Sequence, residues 1–117
     1  MNIYRLLKLN RMVKNHRIKF LGLFFLHKFN KRYLAVNLDP VLACNLRCQM
    51  CYFTDSEILK TLKGQLTDDE LHRIADLIFK RALKLQIGCG TEPTLYKNLD
   101  KIVALGKKYN VPYISLT

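Results

Sequence analysis

Short strand-like runs that alternate with helical patterns constrain this chain most. Residues 33–38, 83–88 and 111–117 are apolar runs of strand character. Thr67 and Glu70 have the spacing of a capping box. Leu71, Ile74, Ala75, Ile78 and Phe79 follow at helical spacing and predict a helix over residues 68–82. Leu99, Ile102, Val103 and Leu105 predict another over 97–109, with Asn110 as its stop. A shorter helix fits residues 55–62, and Gly64 breaks it. Strands separated by helices imply an α/β fold with a parallel sheet and right-handed crossovers. Chemistry in such sheets gathers at the carboxyl ends of the strands. Two unusual loops, residues 39–54 and 88–96, follow predicted strands and are expected side by side on one rim.

Charge divides the chain. Its net charge is +11 over 117 residues. Residues 1–32 hold nine bases (Arg5, Lys8, Arg11, Lys14, Arg17, Lys19, Lys28, Lys31 and Arg32) and no acid, whereas residues 33–117 hold eleven bases and nine acids. Residues 1–32 therefore read as a basic amphipathic helical extension, and residues 33–117 as a separate α/β body. Residues 3–30 read as helix, with Ile3, Leu6, Leu7 and Val13 on one side. Phe20, Leu21, Leu23, Phe24 and Phe25 form a dense apolar patch. Residues 1–32 could pack on the body or, as a basic interaction segment, meet an anionic membrane surface, a nucleic acid or an acidic partner. The common nucleic-acid signatures do not appear. The apolar run at residues 20–26 is followed by no small-residue cleavage site, and it is far short of the ~20 residues that span a bilayer. A cytoplasmic location with reduced thiols is the expectation.

The four cysteines are Cys44, Cys48, Cys51 and Cys89. Three of them lie in a C-x3-C-x2-C loop after the first predicted strand. Thiolates on one loop can hold three irons of a cubic iron–sulfur cluster and leave the fourth open for an exogenous ligand. Other uses of these thiols are open. Zinc could bind them with His72 or Cys89 as a fourth ligand, giving a non-catalytic module, although no second C-x2-C pair is present. A redox disulfide could join Cys48 to Cys51, which leaves Cys44 unexplained. After the second predicted strand comes Gly88-Cys89-Gly90-Thr91-Glu92-Pro93. Glycines there allow close approach of backbone to a ligand, Pro93 fixes the exit, and carbonyls or Glu92 can accept bonds from an ammonium. Cys89 reads as a strand-end thiol rather than a fourth ligand.

Together, Cys44, Cys48 and Cys51 and the segment ending in Gly90, Thr91, Glu92 and Pro93 resemble the signature loop and the Gly-Gly-Glu-Pro motif of the radical S-adenosylmethionine (radical SAM) superfamily. Thr91 replaces the motif's second glycine. Met50 stands where the family places an aromatic before the third cysteine, and Tyr52 follows the triad. The resemblance covers residues 33–117. It implies the first ~2.5 βα units of a partial (β/α)6 TIM-like barrel. It implies a [4Fe–4S] cluster on Cys44, Cys48 and Cys51. S-adenosyl-L-methionine would be held by Gly90, Thr91, Glu92 and Pro93, with Met50 and Tyr52 near the adenine. The implied reaction is reductive cleavage of SAM to a 5′-deoxyadenosyl radical, which abstracts hydrogen from an unknown substrate. An external flavodoxin- or ferredoxin-like donor would supply the electron. The SPASM-type peptide-modifying branch, with extra clusters in a C-terminal extension, is a candidate home. The family core is longer than this chain, so the sequence is expected to be an N-terminal fragment, incomplete for turnover by itself.

Overall fold

The computed structural model describes residues 2–51 and 55–117. Its N-terminal part is two helices, α1 (Ile3–Met12) and α2 (His16–Lys28), rather than the one helix expected over residues 3–30. The reason is local. Val13 and Asn15 are extended, and Asn15 turns its side-chain oxygen onto the Arg17 N–H, 3.0 Å away, to open α2. Asn2 does the same for α1 through the Tyr4 N–H. A short amide that binds nearby backbone offers an alternative to continuing a helix.

Strand β1 (Leu34–Leu38) follows, then α3 (Ser56–Thr61), α4 (Asp68–Ile78), β2 (Ala82–Ile87), α5 (Leu99–Lys108) and β3 (Tyr113–Leu116). Helix α4 opens with the reciprocal bonds its sequence encodes: Glu70 N–H to Thr67 Oγ1, and Thr67 N–H to Glu70 Oε2 at 2.9 Å. Its end tightens into a 3-10 turn, Phe79–Arg81, that leads directly into β2. Helix α5 is shorter than the predicted 97–109: Pro93–Leu95 forms a separate 3-10 turn, and Asn98, outside helical geometry, is the N-cap. Asn110, at φ 53°, ends α5 with bonds from its own N–H to Lys107 O and from Val111 N–H to Gly106 O. Asn30 ends α2 by the same device.

The sheet is parallel, in the order β1-β2-β3. A mixed α/β fold with three parallel strands is thus established. The register slips once, between Leu34 and Ala35, opposite Leu83. One face packs on α4 and α5. There Leu71, Ala75, Phe79, Ile102 and Leu105 meet Leu85 and Ile87 of β2, flanked by Val36, Leu38 and Ile114. Full burial of side chains such as Phe79, Leu71 and Ile102 stabilises the fold by ~1.5–3 kcal/mol each. Gly106 lets α5 sit close, since a Cβ there would lie 2.7 Å from Ile114 Cδ1. Both crossover helices cover the same face, as right-handed connections between successive neighbours require. The alternate residues face the other way and are mostly polar. Lys84 Nζ donates to Gln86 Oε1, and Gln86 Nε2 donates to Thr117 Oγ1.

Arg32 and Arg81 tie the end of α2 to the amino-end rim of this sheet. Arg32, read from sequence as one more surface base, donates to Phe79 O at 2.8 Å, to Ala82 O at 3.0 Å and to Tyr109 O. A cation at the carbonyl ends of two helical segments complements their dipoles. Arg81 reaches back to His27 O and Asn30 Oδ1. No helix among the described residues is long and apolar enough to cross a membrane.

Candidate functional site

The carboxyl rim is built around Asp39. Gly88 N–H extends the parallel ladder to Leu38 O at 2.9 Å, bringing the chain after β2 beside the chain after β1. Asp39 Oδ1 then accepts from the N–H groups of Cys89 (2.6 Å) and Gly90 (3.2 Å), with the Thr91 hydroxyl at 3.4 Å. One carboxylate thus holds the turn that follows the neighbouring strand. A further bond, Glu92 N–H to Ala43 O at 3.2 Å, joins the two segments just before Cys44.

The turn is tight for steric reasons. Gly88 has φ 78°, and a Cβ there would lie 2.5 Å from Pro93 Cγ and 2.9 Å from Thr117 O. Pro93 is buried. Glu92 caps the following 3-10 turn: its Oε1 accepts from Thr94 N–H at 3.2 Å and from Thr94 Oγ1 at 2.5 Å. Tyr96 is buried beneath and donates to Leu66 O at 2.9 Å. Residues 64–66 also pin the start of the cysteine loop. Leu66 N–H bonds Pro40 O, Leu42 N–H bonds Gly64 O, and Val41 bridges Gln65.

The cysteine loop is far more open. Cys44 and Cys51 are half-buried, Cys48 and Cys89 are exposed, and no disulfide joins any of them. Cys51 N–H bonds Cys48 O at 3.0 Å, and Arg47 donates to the carbonyls of Cys44 and Leu46. Met50 is fully exposed. Tyr52 lies outside the described residues. Three thiols on one solvent-open loop suit an iron–sulfur cluster by donor chemistry. Among the described residues, no three Cys, His, Asp or Glu side chains converge on a metal-binding point. Cys89 differs from the triad in its surroundings. Desolvation at the strand end, and then the Asp39 carboxylate, push its thiol up from the usual range. His72 turns Nδ1 onto Asp68 O of its own helix, 2.7 Å away, which gives it a structural partner.

Sequence reasoning expected both loops on one rim but gave Asp39 no role. A signal was present: a lone carboxylate at a strand's carboxyl end, one βα unit before a Gly-rich turn full of N–H donors.

No protein-family profile matches the chain, and no solved structure matches it. It aligns with molybdenum cofactor biosynthesis protein 1 of Dictyostelium discoideum over 91 residues at 25% identity, covering 77% of this chain and 14% of that protein. The chain spans only a small part of that protein's length, and likeness at this level assigns no family by itself.

Proposed function

We propose that this chain carries the cluster-binding front of a radical SAM enzyme. The Asp39 bridge is the observation that supports it best. A three-thiol loop and a Gly-rich turn are joined by one carboxylate at the carboxyl ends of adjacent parallel strands. Cys44, Cys48 and Cys51 would be the ligands of a [4Fe–4S] cluster. When bound, that cluster supplies the electron that cleaves SAM to a 5′-deoxyadenosyl radical for hydrogen abstraction. The chain's own residues bind and orient. Gly90, Thr91 and Glu92 present backbone and one carboxylate to the ammonium of the methionine moiety, and Pro93 keeps the turn closed. Thr94 engages Glu92 through Oε1, so Oε2 would be the oxygen to meet a cation. Met50 and Tyr52 would flank the adenine. In this reading the sheet is the first part of a partial (β/α)6 barrel, and the polar face of Lys84, Gln86 and Thr117 lines its interior. An external flavodoxin- or ferredoxin-like protein delivers the electron, and the substrate comes from contacts beyond these residues.

Anaerobic reconstitution with iron and sulfide tests the assignment. A brown protein whose reduced EPR signal changes on adding SAM is expected. Cys44→Ala, Cys48→Ala and Cys51→Ala should each lose the cluster, while Cys89→Ala keeps it. A colourless protein that retains one zinc, or iron binding unchanged in the triad variants, overturns the proposal.

A further inference from the structure

Helix α2 has apolar residues on both sides. Ile18, Gly22, Leu23 and Leu26, with Ile3, Leu6, Leu34 and Leu83, line an open cavity of about 520 Å³ between the two N-terminal helices and the sheet, and none of these α2 residues is buried. The opposite side is equally apolar and faces solvent. Arg17, Phe20, Leu21, Phe24 and Lys28 recur at spacings of three and four, so they form one stripe along the helix. Phe20 is 72% exposed, Phe24 60% and Leu21 56%. Phe25 and Phe29 stack beside it, with ring centres 6.4 Å apart and both exposed. A helix apolar all round is ordinarily covered all round. Here no residue of α2 is buried, and Phe20, Leu21 and Phe24 lie outside even the open cavity.

Charge says what covers the outward side. Cations stand at both ends of the stripe, and residues 1–32 contain no acid. A one-signed basic segment around exposed aromatics matches an anionic lipid surface, where Phe sinks to the headgroup boundary and Arg and Lys reach the phosphates. The helix has 13 residues, too few to cross a bilayer, so it would lie in the surface plane. We infer that the outward stripe of α2, Phe20, Leu21 and Phe24 between Arg17 and Lys28, docks the chain on an anionic lipid bilayer.

The chain contains no tryptophan, so Phe24→Trp places a single indole reporter on the stripe. With phosphatidylglycerol–phosphatidylcholine vesicles its emission should shift to the blue and be quenched by brominated lipid. Pure phosphatidylcholine should give neither. Arg17→Gln with Lys28→Gln should weaken partitioning about 30-fold, and Phe20→Ser should weaken it as well. Leu21→Trp carries the same reading should Phe24→Trp not melt like the unaltered chain. The inference is overturned by no shift on phosphatidylglycerol vesicles, or by equal partitioning into both vesicle types. A blue shift that grows with protein concentration before lipid is added also overturns it, because a second copy then covers the stripe. None of these readings depends on the cysteine loop.

Discussion

On the carboxyl rim, residues 88–96 are held from several sides, while the bonds of Arg47 and Cys51 run within the loop 44–51 itself. The turn has a ladder bond to β1, the Asp39 carboxylate, the Thr94 lock on Glu92 and a buried proline. The loop has Arg47 on its own carbonyls and a Cys51–Cys48 backbone bond, with two thiols half-buried and one in solvent. A cradle for an organic ligand can be preformed, because backbone and carboxylate can be satisfied within the protein until the ligand arrives. A loop of thiols for a metal cluster gains its order largely from the metal, since binding and ordering share one free energy. Substitutions in the turn should therefore act on folding, and substitutions in the loop on loading.

The largest effect on folding is expected at Gly88→Ala. A positive φ and a 2.5 Å approach to Pro93 together should destabilise the fold by ~3 kcal/mol or more, seen as a lowered urea midpoint. Asp39→Ala should cost ~2 kcal/mol, because the Cys89 and Gly90 N–H groups lose a charged acceptor. It should also lower the pH at which an alkylating probe reacts with Cys89, since a charge that raises that thiol is gone. Thr67→Ala should cost ~1 kcal/mol as a lost helix cap, and it adds a pH signature. Bonds from Thr67 hold the Glu70 carboxyl below its usual range. That contribution is present above the ordinary carboxylate pKa and fades as pH falls through the depressed one, so the variant's acid unfolding limb should be flatter. The smallest effect on folding should come from Cys48→Ser: under ~0.5 kcal/mol without metal, with cluster binding abolished. A large stability loss in metal-free Cys48→Ser, or none in Gly88→Ala, would break the contrast between loop and turn.

Much of this contrast was legible in the residues, because some signals are local. Thr67 and Glu70 wrote their own cap, Asn110 its own stop, and the order of apolar runs gave the parallel α/β sheet. What escaped depends on partners distant in sequence. Arg32 meets carbonyls of Phe79, Ala82 and Tyr109 that only the folded chain brings together. Asp39 acquires its role from N–H groups one βα unit later. The break at Val13–Asn15 is local yet easily missed, since no glycine or proline marks it and the apolar spacing runs on into the next helix. The candidate site was legible as two motifs. Their join was not, because a carboxylate bridging two loops has no spacing of its own.

The parallel sheet carries a consequence for how the chain acquires its shape. Leu34 of β1 pairs with Ala82, and Lys84 of β2 with Tyr113. No strand has a partner nearby in sequence, so a chain emerging from the ribosome exposes β1 until α4 and β2 have followed it. Assembly must wait on long loop closures and should be slow. The cap of Thr67 and Glu70 fixes where α4 begins, and α4 gains most of its stability only when β1 and β2 pack on it.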